Sequence, residues 1–544
     1  MLRFPPTKTI GPLTAIFTVW GIAVFSGGWG VDFGFHWDEG MILRWVLWSV
    51  EHRTALPPSF LYPSLLHIIT LAFLLFQGWI GLVGGTREPF LQQLLEIALS
   101  QKFHFSLRLL TVFLSSLAIF WVAMAVWVWR KKPWEAVLAA ALLGLSWEVN
   151  YHSRWFTVDP LMMQFGALLI LCLVQARFSP HPDRWRIAAA VAAGLAAGSK
   201  YTAGLCLLPV LAILFFQRPG IKNREFWKEA CRLTVVFLVT FLATTPGILW
   251  SWGKFYQDLL FQSHTYFQNG WNAYTEGRGF PHFFWMSAYL GGTVFSWSAP
   301  VALGFSGLAL LGAVDLLKKE KKFAAVFLVF PIAYVALFSV QIVMIVRNLL
   351  ILIPFGAILA TRGATVAYDS LSGPFRKGFA VLLVAAMLTN ASWLVHAAWT
   401  VRTRARPNQA GLLSQFIERH PRRQFLLSQT SFKALRSLPG PKPTNVTVGF
   451  REPSDFTVFN TAEARNRFDG RWKANRPHSV ETWMGPYEVN LNYYPTWMGD
   501  DRFVVMKTER ALNLLLDPRT PRTGAQTDAG PSAQLPQREV GPHP

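Results

Sequence analysis

Cysteine and charged residues are scarce in this sequence. Its 544 residues include only 3 Cys, and charged residues make up 15% of the total. All three cysteines (Cys172, Cys206 and Cys231) lie in or beside apolar runs, where a thiol acts as a small hydrophobic group. The sequence therefore excludes a disulfide-stabilised secreted fold and leaves the redox compartment open.

The apolar content is correspondingly high. Hydrophobic residues make up 52% of the chain, and 24 Trp and 44 Phe are among them. This exceeds what the core of a soluble domain uses, so much of the apolar surface must face lipid. The composition thus predicts a polytopic integral membrane protein.

Apolar runs predict an all-α membrane domain with about eleven transmembrane helices. The predicted spans are 12–28, 107–129, 136–147, 160–176, 187–197, 201–216, 233–250, 284–314, 324–340, 348–360 and 380–399. The break at residues 198–200 predicts two short helices that meet at Lys200. Residues 60–83 are also apolar, but both of their ends must be outside for the spans to alternate, which favours a re-entrant hairpin or an interfacial helix over a spanning one.

Basic residues are concentrated in alternate connections and account for the net charge of +21. By the positive-inside rule those connections and the N-terminus are cytoplasmic. The basic residues do not interleave with aromatic residues as single-stranded nucleic acids require, so no nucleic-acid partner is expected.

The composition changes sharply near residue 400 and predicts three regions. Residues 1–400 form the membrane domain, with an outer loop at 31–106, and residues 401–518 form a small soluble α/β domain. An odd number of spans puts this C-terminal domain outside the cytoplasm. Its predicted elements are a helix at 408–420 and strands at 424–427, 444–450 and 502–507. The tail, 519–544, is predicted to be disordered.

Acidic side chains occur in two of the predicted outer connections. Asp38 and Glu39 follow the first span, where they could also serve simply as the acidic first turn of a helix over 41–52. Asp159 precedes Pro160, and this pair is explained by an N-cap followed by a proline at the first helical position.

Basic side chains occur at the same surface. Arg154 has no local structural explanation, which favours a functional role. Lys200, beside Tyr201, and Arg347 lie at outer helix ends, from which either cation could snorkel to the interface. Arg278 and His282 could line the same vestibule or be solvated loop residues, and the solvated alternative is favoured for His282.

These groups together suit a particular chemistry. A carboxylate can deprotonate an acceptor hydroxyl or bind a divalent metal, while Arg and Lys can hold a phosphate as it leaves. The sequence therefore favours transfer from a phosphorylated lipid.

Five short motifs resemble the membrane glycosyltransferases of the GT-C fold, in the branch of the protein O-mannosyltransferases and the lipid A aminoarabinose transferase (glycosyltransferase family 39). They occur in the expected order: Trp37-Asp38-Glu39, Leu61-Tyr62-Pro63-Ser64-Leu65-Leu66, Ser153-Arg154 with Asp159-Pro160, Gly198-Ser199-Lys200-Tyr201 after Gly194, and Val346-Arg347. The chain departs from the family at Ser64, where a second proline is common, and at Asn348, where an aromatic residue is common.

The resemblance implies a site and its substrates. Asp38 would be the general base, with Glu39 assisting it or contacting a metal (Mg²⁺ or Mn²⁺), and Asp159 would orient or supplement the site. Arg154, Lys200, Tyr201 and Arg347 would match the positions that bind the donor phosphate. The donor would be a sugar linked to a polyprenyl phosphate, and the acceptor a lipid, a glycan or a protein.

The resemblance also implies a location. The connection 253–283 is too short for the lumenal insertion of the eukaryotic mannosyltransferases. Together with an outer C-terminal domain, this favours a multi-pass enzyme of the bacterial cytoplasmic membrane. Two other interpretations remain open at the level of sequence. One is a secondary transporter with broken helices, although no repeated halves are visible; the other is a non-catalytic envelope assembly protein.

Overall fold

A computed structural model describes residues 10–31, 36–83, 89–217, 224–270, 277–404 and 409–428, with shorter pieces at 431–432, 435, 443–448, 454–460, 481–482 and 503–507. The predicted disordered tail, 519–544, lies outside the described residues. The described chain separates into two compact units, one containing the residues up to 412 and the other containing all five of the described C-terminal strands. The predicted domain boundary at residue 400 stays a prediction.

The first unit is helical. Its α-helices, in chain order from α1 to α18, are Ile10–Gly28, Trp37–Glu51, Leu65–Val83, Phe90–Leu99, Gln101–Arg130, Pro133–Gly144, Trp147–Ser153, Val158–Phe178, Pro182–Ser199, Leu207–Gln217, Arg224–Thr244, Gly247–Trp250, Trp252–His264, Phe280–Gly292, Ala299–Lys319, Lys321–Ser339, Ile353–Ser370 and Gly373–Arg404. Two 3₁₀-helices, Tyr201–Cys206 and Val346–Leu352, lead directly into α10 and α17.

Eight of the described helical segments are long and apolar enough to cross a membrane. They comprise α1, α3, α5, α8, α15 and α16, the segment Val346–Ser370 and most of α18. The prediction of a multi-pass membrane protein is confirmed, whereas the predicted number of eleven spans stays a prediction. Helix α3 (Leu65–Val83) is one of the eight, so most of the apolar segment 60–83 has the length and composition of a spanning helix.

Glycine allows helices α15 and α17 to approach each other closely. A Cβ atom built on Gly312 of α15 would lie 2.0 Å from the Leu359 carbonyl oxygen of α17, and one on Gly363 would lie 1.8 Å from the Leu308 carbonyl oxygen. Both distances are far below van der Waals contact, so only glycine fits at these two positions. Small residues are the usual means of bringing helix backbones together in lipid.

Three predictions about the later part of the membrane domain are wrong. Residues 284–314 do not form one span, because α14 ends at Gly292 and α15 begins at Ala299. The connection 253–283 is not a plain loop, since it contains α13, a π-helical turn (Thr265–Asn269) and the start of α14. His282 is on α14 and fully buried, with Nδ1 2.9 Å from the Gln341 carbonyl oxygen, so it is not a solvated residue.

The second unit confirms the prediction of a small α/β domain. It contains α19 (Gln409–Glu418) and five strands from β1 to β5: Phe425–Leu427, Val446–Val448, Phe456–Asn460, Glu481–Thr482 and Phe503–Lys507. The strand order is β2-β1-β3-β5-β4, with parallel pairs on both sides of β1 and antiparallel pairs on both sides of β5. Strands β3 and β4 were not predicted from the sequence.

Candidate active site

Asp38 and Glu39 lie side by side in the first turn of α2 but have different partners. Helix α2 begins at Trp37, four residues earlier than the sequence predicts, so both carboxylates are helical. The Asp38 carboxylate keeps 15% of its side-chain surface exposed, whereas Glu39 keeps 1%. Only Asp38 is therefore open to a substrate.

Arg347 connects Asp38 to Asp159. Its Nη2 atom lies 2.7 Å from Oδ2 of Asp38, and its Nε atom lies 2.9 Å from Oδ2 of Asp159. The guanidinium group is 4% exposed, so it does not snorkel to the interface. The contact with Asp38 is a charge-assisted hydrogen bond, and the contact with Asp159 is an ion pair.

Lys200 completes the cluster. Helix α9, rich in alanine, ends at Ser199, and the extended backbone of Lys200 leads into the 3₁₀-helix. Its Nζ atom lies 2.6 Å from Oδ1 of Asp159 and also donates to Oδ1 of Asn348. The prediction of two helices that meet at Lys200 agrees with the structure, and at 7% exposure this lysine does not snorkel to the interface.

Asp159 serves as an ion-pair partner and not as an N-cap. The N-cap of α8 is Thr157, and Asp159 occupies the first turn with its side chain 1% exposed. One carboxylate oxygen contacts Lys200 and the other contacts Arg347. Asp159 thus fixes the two cations relative to each other.

Two further side chains contact this cluster and were not predicted as site residues. The Tyr62 hydroxyl donates to Oδ2 of Asp38 at 3.1 Å. Arg347 Nη1 lies 3.0 Å from His36 Nε2, which must be neutral to accept this hydrogen bond. Burial and the adjacent Arg347 lower the pKa of His36 to about 4, which keeps the ring neutral at neutral pH. Tyr62 lies within one of the sequence motifs quoted above and His36 directly precedes another, and this proximity was the available signal.

Glu39 belongs to a separate buried ion pair. Arg108 of α5 donates from Nε and Nη2 to the two Glu39 oxygens, at 2.8 and 2.5 Å. The Phe156 backbone N–H donates to Oε1 at 2.8 Å, and His104 Nε2 lies 3.2 Å from Oε2. Burial alone would raise the pKa of Glu39, but Arg108 and His104 outweigh it and hold the pKa well below its usual range. A charged residue within the apolar span 107–129 was the signal for Arg108.

Both Glu39 oxygens are therefore engaged by hydrogen-bond donors. These neighbours do not suit a divalent metal, since a cation would have to displace the Arg108 guanidinium. No group of three or more His, Cys, Asp or Glu residues suited to a metal occurs in the described part of the chain.

Arg154 and Tyr201 lie beside the cluster with other contacts. Arg154 is 2% exposed, donates from Nη2 to the Gly30 carbonyl oxygen at 2.7 Å, and lies over the Trp155 ring. The Tyr201 hydroxyl donates to the Phe60 carbonyl oxygen at 2.8 Å. It thereby helps to hold the segment that carries Tyr62.

Comparison with known proteins agrees with this architecture. Residues 89–250 match the family model of the dolichyl-phosphate-mannose-protein mannosyltransferases. No curated protein matches the sequence.

Two solved structures illustrate what the chain is similar to. The archaeal oligosaccharyltransferase AglB from Archaeoglobus fulgidus, solved with an inhibitory peptide and a dolichol-phosphate, has a TM-score of 0.51 at 12% identity, covering 87% of this chain and 73% of AglB. ArnT from Cupriavidus metallidurans bound to undecaprenyl phosphate has a TM-score of 0.49 at 15% identity, covering 92% of this chain and 98% of ArnT.

The AglB likeness establishes the fold, and the family match covers the segment that contains Arg108, Arg154, Asp159 and Lys200. The resemblance predicted from the sequence is thus confirmed: the chain has the GT-C fold, and residues 89–250 resemble a family of membrane mannosyltransferases.

Proposed function

We propose that this protein transfers a sugar from a polyprenyl-phosphate donor to a hydroxyl of a lipid, glycan or protein acceptor at the outer face of the bacterial cytoplasmic membrane. One observation carries the proposal. Arg347 joins the partly exposed Asp38 to the buried Asp159, and Lys200 binds Asp159 from the other side. Two cations that can hold a phosphate are thereby set next to a carboxylate that can accept a proton.

The donor phosphate would be held by Arg347 and Lys200. Each cation is currently paired with a carboxylate, so its charge is held in position before the donor arrives. Such preorganised cations stabilise the negative charge that develops on a leaving phosphate without reorganising during the reaction. The donor class is supported by the family match and by the dolichol-phosphate bound to AglB.

Asp38 would be the general base. The acceptor hydroxyl oxygen forms a bond to the anomeric carbon while the bond from that carbon to the phosphate oxygen breaks, and the hydroxyl proton passes to Asp38. The polyprenyl phosphate leaves with the bonding electron pair, and direct displacement inverts the anomeric configuration. Tyr62 and Arg347 hold Oδ2 of Asp38, which leaves Oδ1 for the acceptor in this mechanism.

The remaining predicted residues receive supporting roles. Arg154 would supplement the phosphate site from its position over Trp155, and Tyr201 would hold the loop before Tyr62. Glu39 would position Asp38 through the Arg108 ion pair, and no step is assigned to a metal. A metal contact by Glu39 would first require that ion pair to open.

The orientation follows from the charge distribution. We infer that the N-terminus is cytoplasmic and the C-terminal α/β domain extracytoplasmic, because the basic connections alternate as the positive-inside rule requires. Labelling of single cysteines introduced in the connections of intact cells tests this topology.

The function is tested with purified protein in lipid nanodiscs and a polyprenyl-phosphate sugar. We expect sugar transfer, or slow donor hydrolysis without an acceptor, with release of polyprenyl phosphate. Arg347→Gln should lower the rate by about 10²–10³-fold, as expected when a preorganised charge donor is removed. Arg278→Gln is the matched control, because Arg278 precedes α14 and is exposed.

Equal rates for Arg347→Gln and Arg278→Gln would exclude the phosphate role of Arg347. Coupled solute uptake into proteoliposomes without any sugar transfer would favour a transporter instead.

A further inference from the structure

A cavity of about 290 Å³ lies at the end of the helical bundle opposite Asp159. Arg177 and Phe178, in the last turn of α8, line it, whereas Asp159 is in the first turn of the same helix. This helix has 21 residues and therefore rises about 30 Å, the thickness of the hydrocarbon core. The cavity is thus a separate site at the other membrane surface.

The cavity has a cationic rim. Arg177 and Lys322 line it, and the Arg177 guanidinium lies 5.2 Å from the ring centre of Phe178 and 5.1 Å from that of Phe323. Between residues 315 and 322 the sequence has four lysines and two carboxylates, and Arg177 and Arg362 lie next to them. Positive charge is therefore in clear excess even though Arg177 is 3.5 Å from Glu320.

The start of α16 adds a second, independent feature that favours an anion. This 19-residue helix begins at Lys321 and has no acidic residue in its first turn. Its N-cap is Glu320, whose carboxylate makes no hydrogen bond to the helix N-terminus and instead contacts Arg177 and Arg362. Two lysines in the first turn are opposite to what the helix dipole favours, since the positive end of the dipole attracts anions. A bound anion would satisfy both the dipole and the lysines.

The walls of the cavity are apolar. Ile213 and Phe216 of α10 line one side, and Phe323 and Val326 of α16 line another. Neighbouring side chains such as Phe215 face outward, with 39% of the surface exposed, as expected for lipid contact. An apolar cavity with a basic rim between membrane helices suits an acidic lipid better than a free ion.

We propose that this cavity binds the phosphate headgroup of an anionic phospholipid, with its glycerol and upper acyl carbons against α10 and α16. The site does not depend on the proposed transfer reaction. Each basic residue near a membrane surface contributes about fivefold to the affinity for acidic lipid. Removing Lys322 should therefore weaken binding by about that factor.

The proposal is tested by measuring bound lipid by native mass spectrometry of the delipidated full-length protein. Phosphatidylglycerol, phosphatidylcholine and inorganic phosphate are the three probes. We expect phosphatidylglycerol to bind preferentially, Lys322→Gln to weaken it about fivefold, and Lys228→Gln to leave it unchanged. Lys228 is a suitable control because it is exposed near the start of α11, at the same end of the bundle.

A second variant, Ile213→Phe, fills the cavity without changing its charge and should also reduce phosphatidylglycerol binding. Equal binding of phosphatidylglycerol and phosphatidylcholine, or equal effects of Lys322→Gln and Lys228→Gln, would overturn the proposal. Competition by inorganic phosphate at millimolar concentration, without preference for the lipid, would overturn it in favour of a free-phosphate site.

Discussion

The ion pair between Glu39 and Arg108 provides a quantitative prediction. It joins α2 to α5, and the same carboxylate accepts a hydrogen bond from the Phe156 backbone, three residues before Asp159. Arg108 also donates to the Val31 carbonyl oxygen at 2.7 Å and lies 4.8 Å from the centre of the Trp155 ring. One buried pair thus fixes the segments that carry both Asp38 and Asp159.

Glu39→Gln leaves the Arg108 guanidinium buried without its carboxylate. Both partners are 1% exposed, so solvent cannot replace the lost charge, and breaking such a pair costs about 3–5 kcal/mol. We expect the midpoint of thermal unfolding to fall by several degrees. In domains of moderate size the midpoint falls by about 2–4 °C for each kcal/mol that is lost from the free energy of unfolding. Sugar transfer should fall as well, because Asp38 is no longer held in place.

Intrinsic-fluorescence melts of purified protein measure this effect, with Glu51→Gln on the exposed end of α2 as the control. The double variant Glu39→Gln/Arg108→Gln should lose less free energy of unfolding than the two single variants lose together. The difference should be at least about 1 kcal/mol, because the two residues are coupled. A Glu39→Gln protein that melts like the wild type but transfers no sugar would refute the positioning role. It would instead support a direct role for Glu39 in the chemistry.

Three further predictions follow from the site. Lys200→Gln should weaken binding of polyprenyl phosphate by at least about tenfold in a titration, because a charged contact to the phosphate is lost, and Arg278→Gln should not. Tyr62→Phe should lower the transfer rate by about tenfold, since one hydrogen bond to Asp38 disappears; an unchanged rate would exclude this role. The pKa of His36 is lowered from 6.5 to about 4 on folding, so the contribution of neutral His36 to stability is complete above pH 6.5 and is lost as the pH falls toward about 4. The free energy of unfolding should fall by about 3 kcal/mol over this range. His36→Gln should therefore flatten the pH dependence of the melting midpoint.

The grouping of the main site residues could be predicted from the sequence. Asp38, Asp159, Lys200 and Arg347 are far apart in the chain, yet each lies where an apolar run begins or ends at the same surface. Alternation of spans is sufficient to bring such ends together, and the ion pairs agree with it. Their chemical roles stay predictions.

The partners within the site could not be predicted. Glu39 and Arg108 are 69 residues apart, and nothing local in the sequence distinguishes their pairing from one between Asp38 and Arg154. Asn348 stood out only as a departure from the family pattern, yet it accepts a hydrogen bond from Lys200. Such pairings depend on how helices rotate against each other, which hydropathy does not encode.

Helix breaks inside apolar sequence were also missed. The run 284–314 was predicted as one span, but the chain breaks between Gly292 and Ala299. There Asn390 Nδ2 donates to the Phe295 carbonyl oxygen, and the Ser296 hydroxyl donates to Asn390 Oδ1. Because those partners come from α18, the break depends on tertiary contacts. The local signals for the break, Gly291-Gly292 and Pro300, are present in the sequence, but a prediction from hydropathy alone does not use them.

The most direct test of the account is the transfer rate of Asp38→Asn at saturating donor, with polyprenyl phosphate binding measured in the same samples. Loss of the general base should lower the rate by about 10²–10⁴-fold while binding of the carrier is kept, and Glu51→Gln should match the wild type in both measurements. An Asp38→Asn rate within a factor of two of the wild type would contradict the assignment of Asp38 as the base.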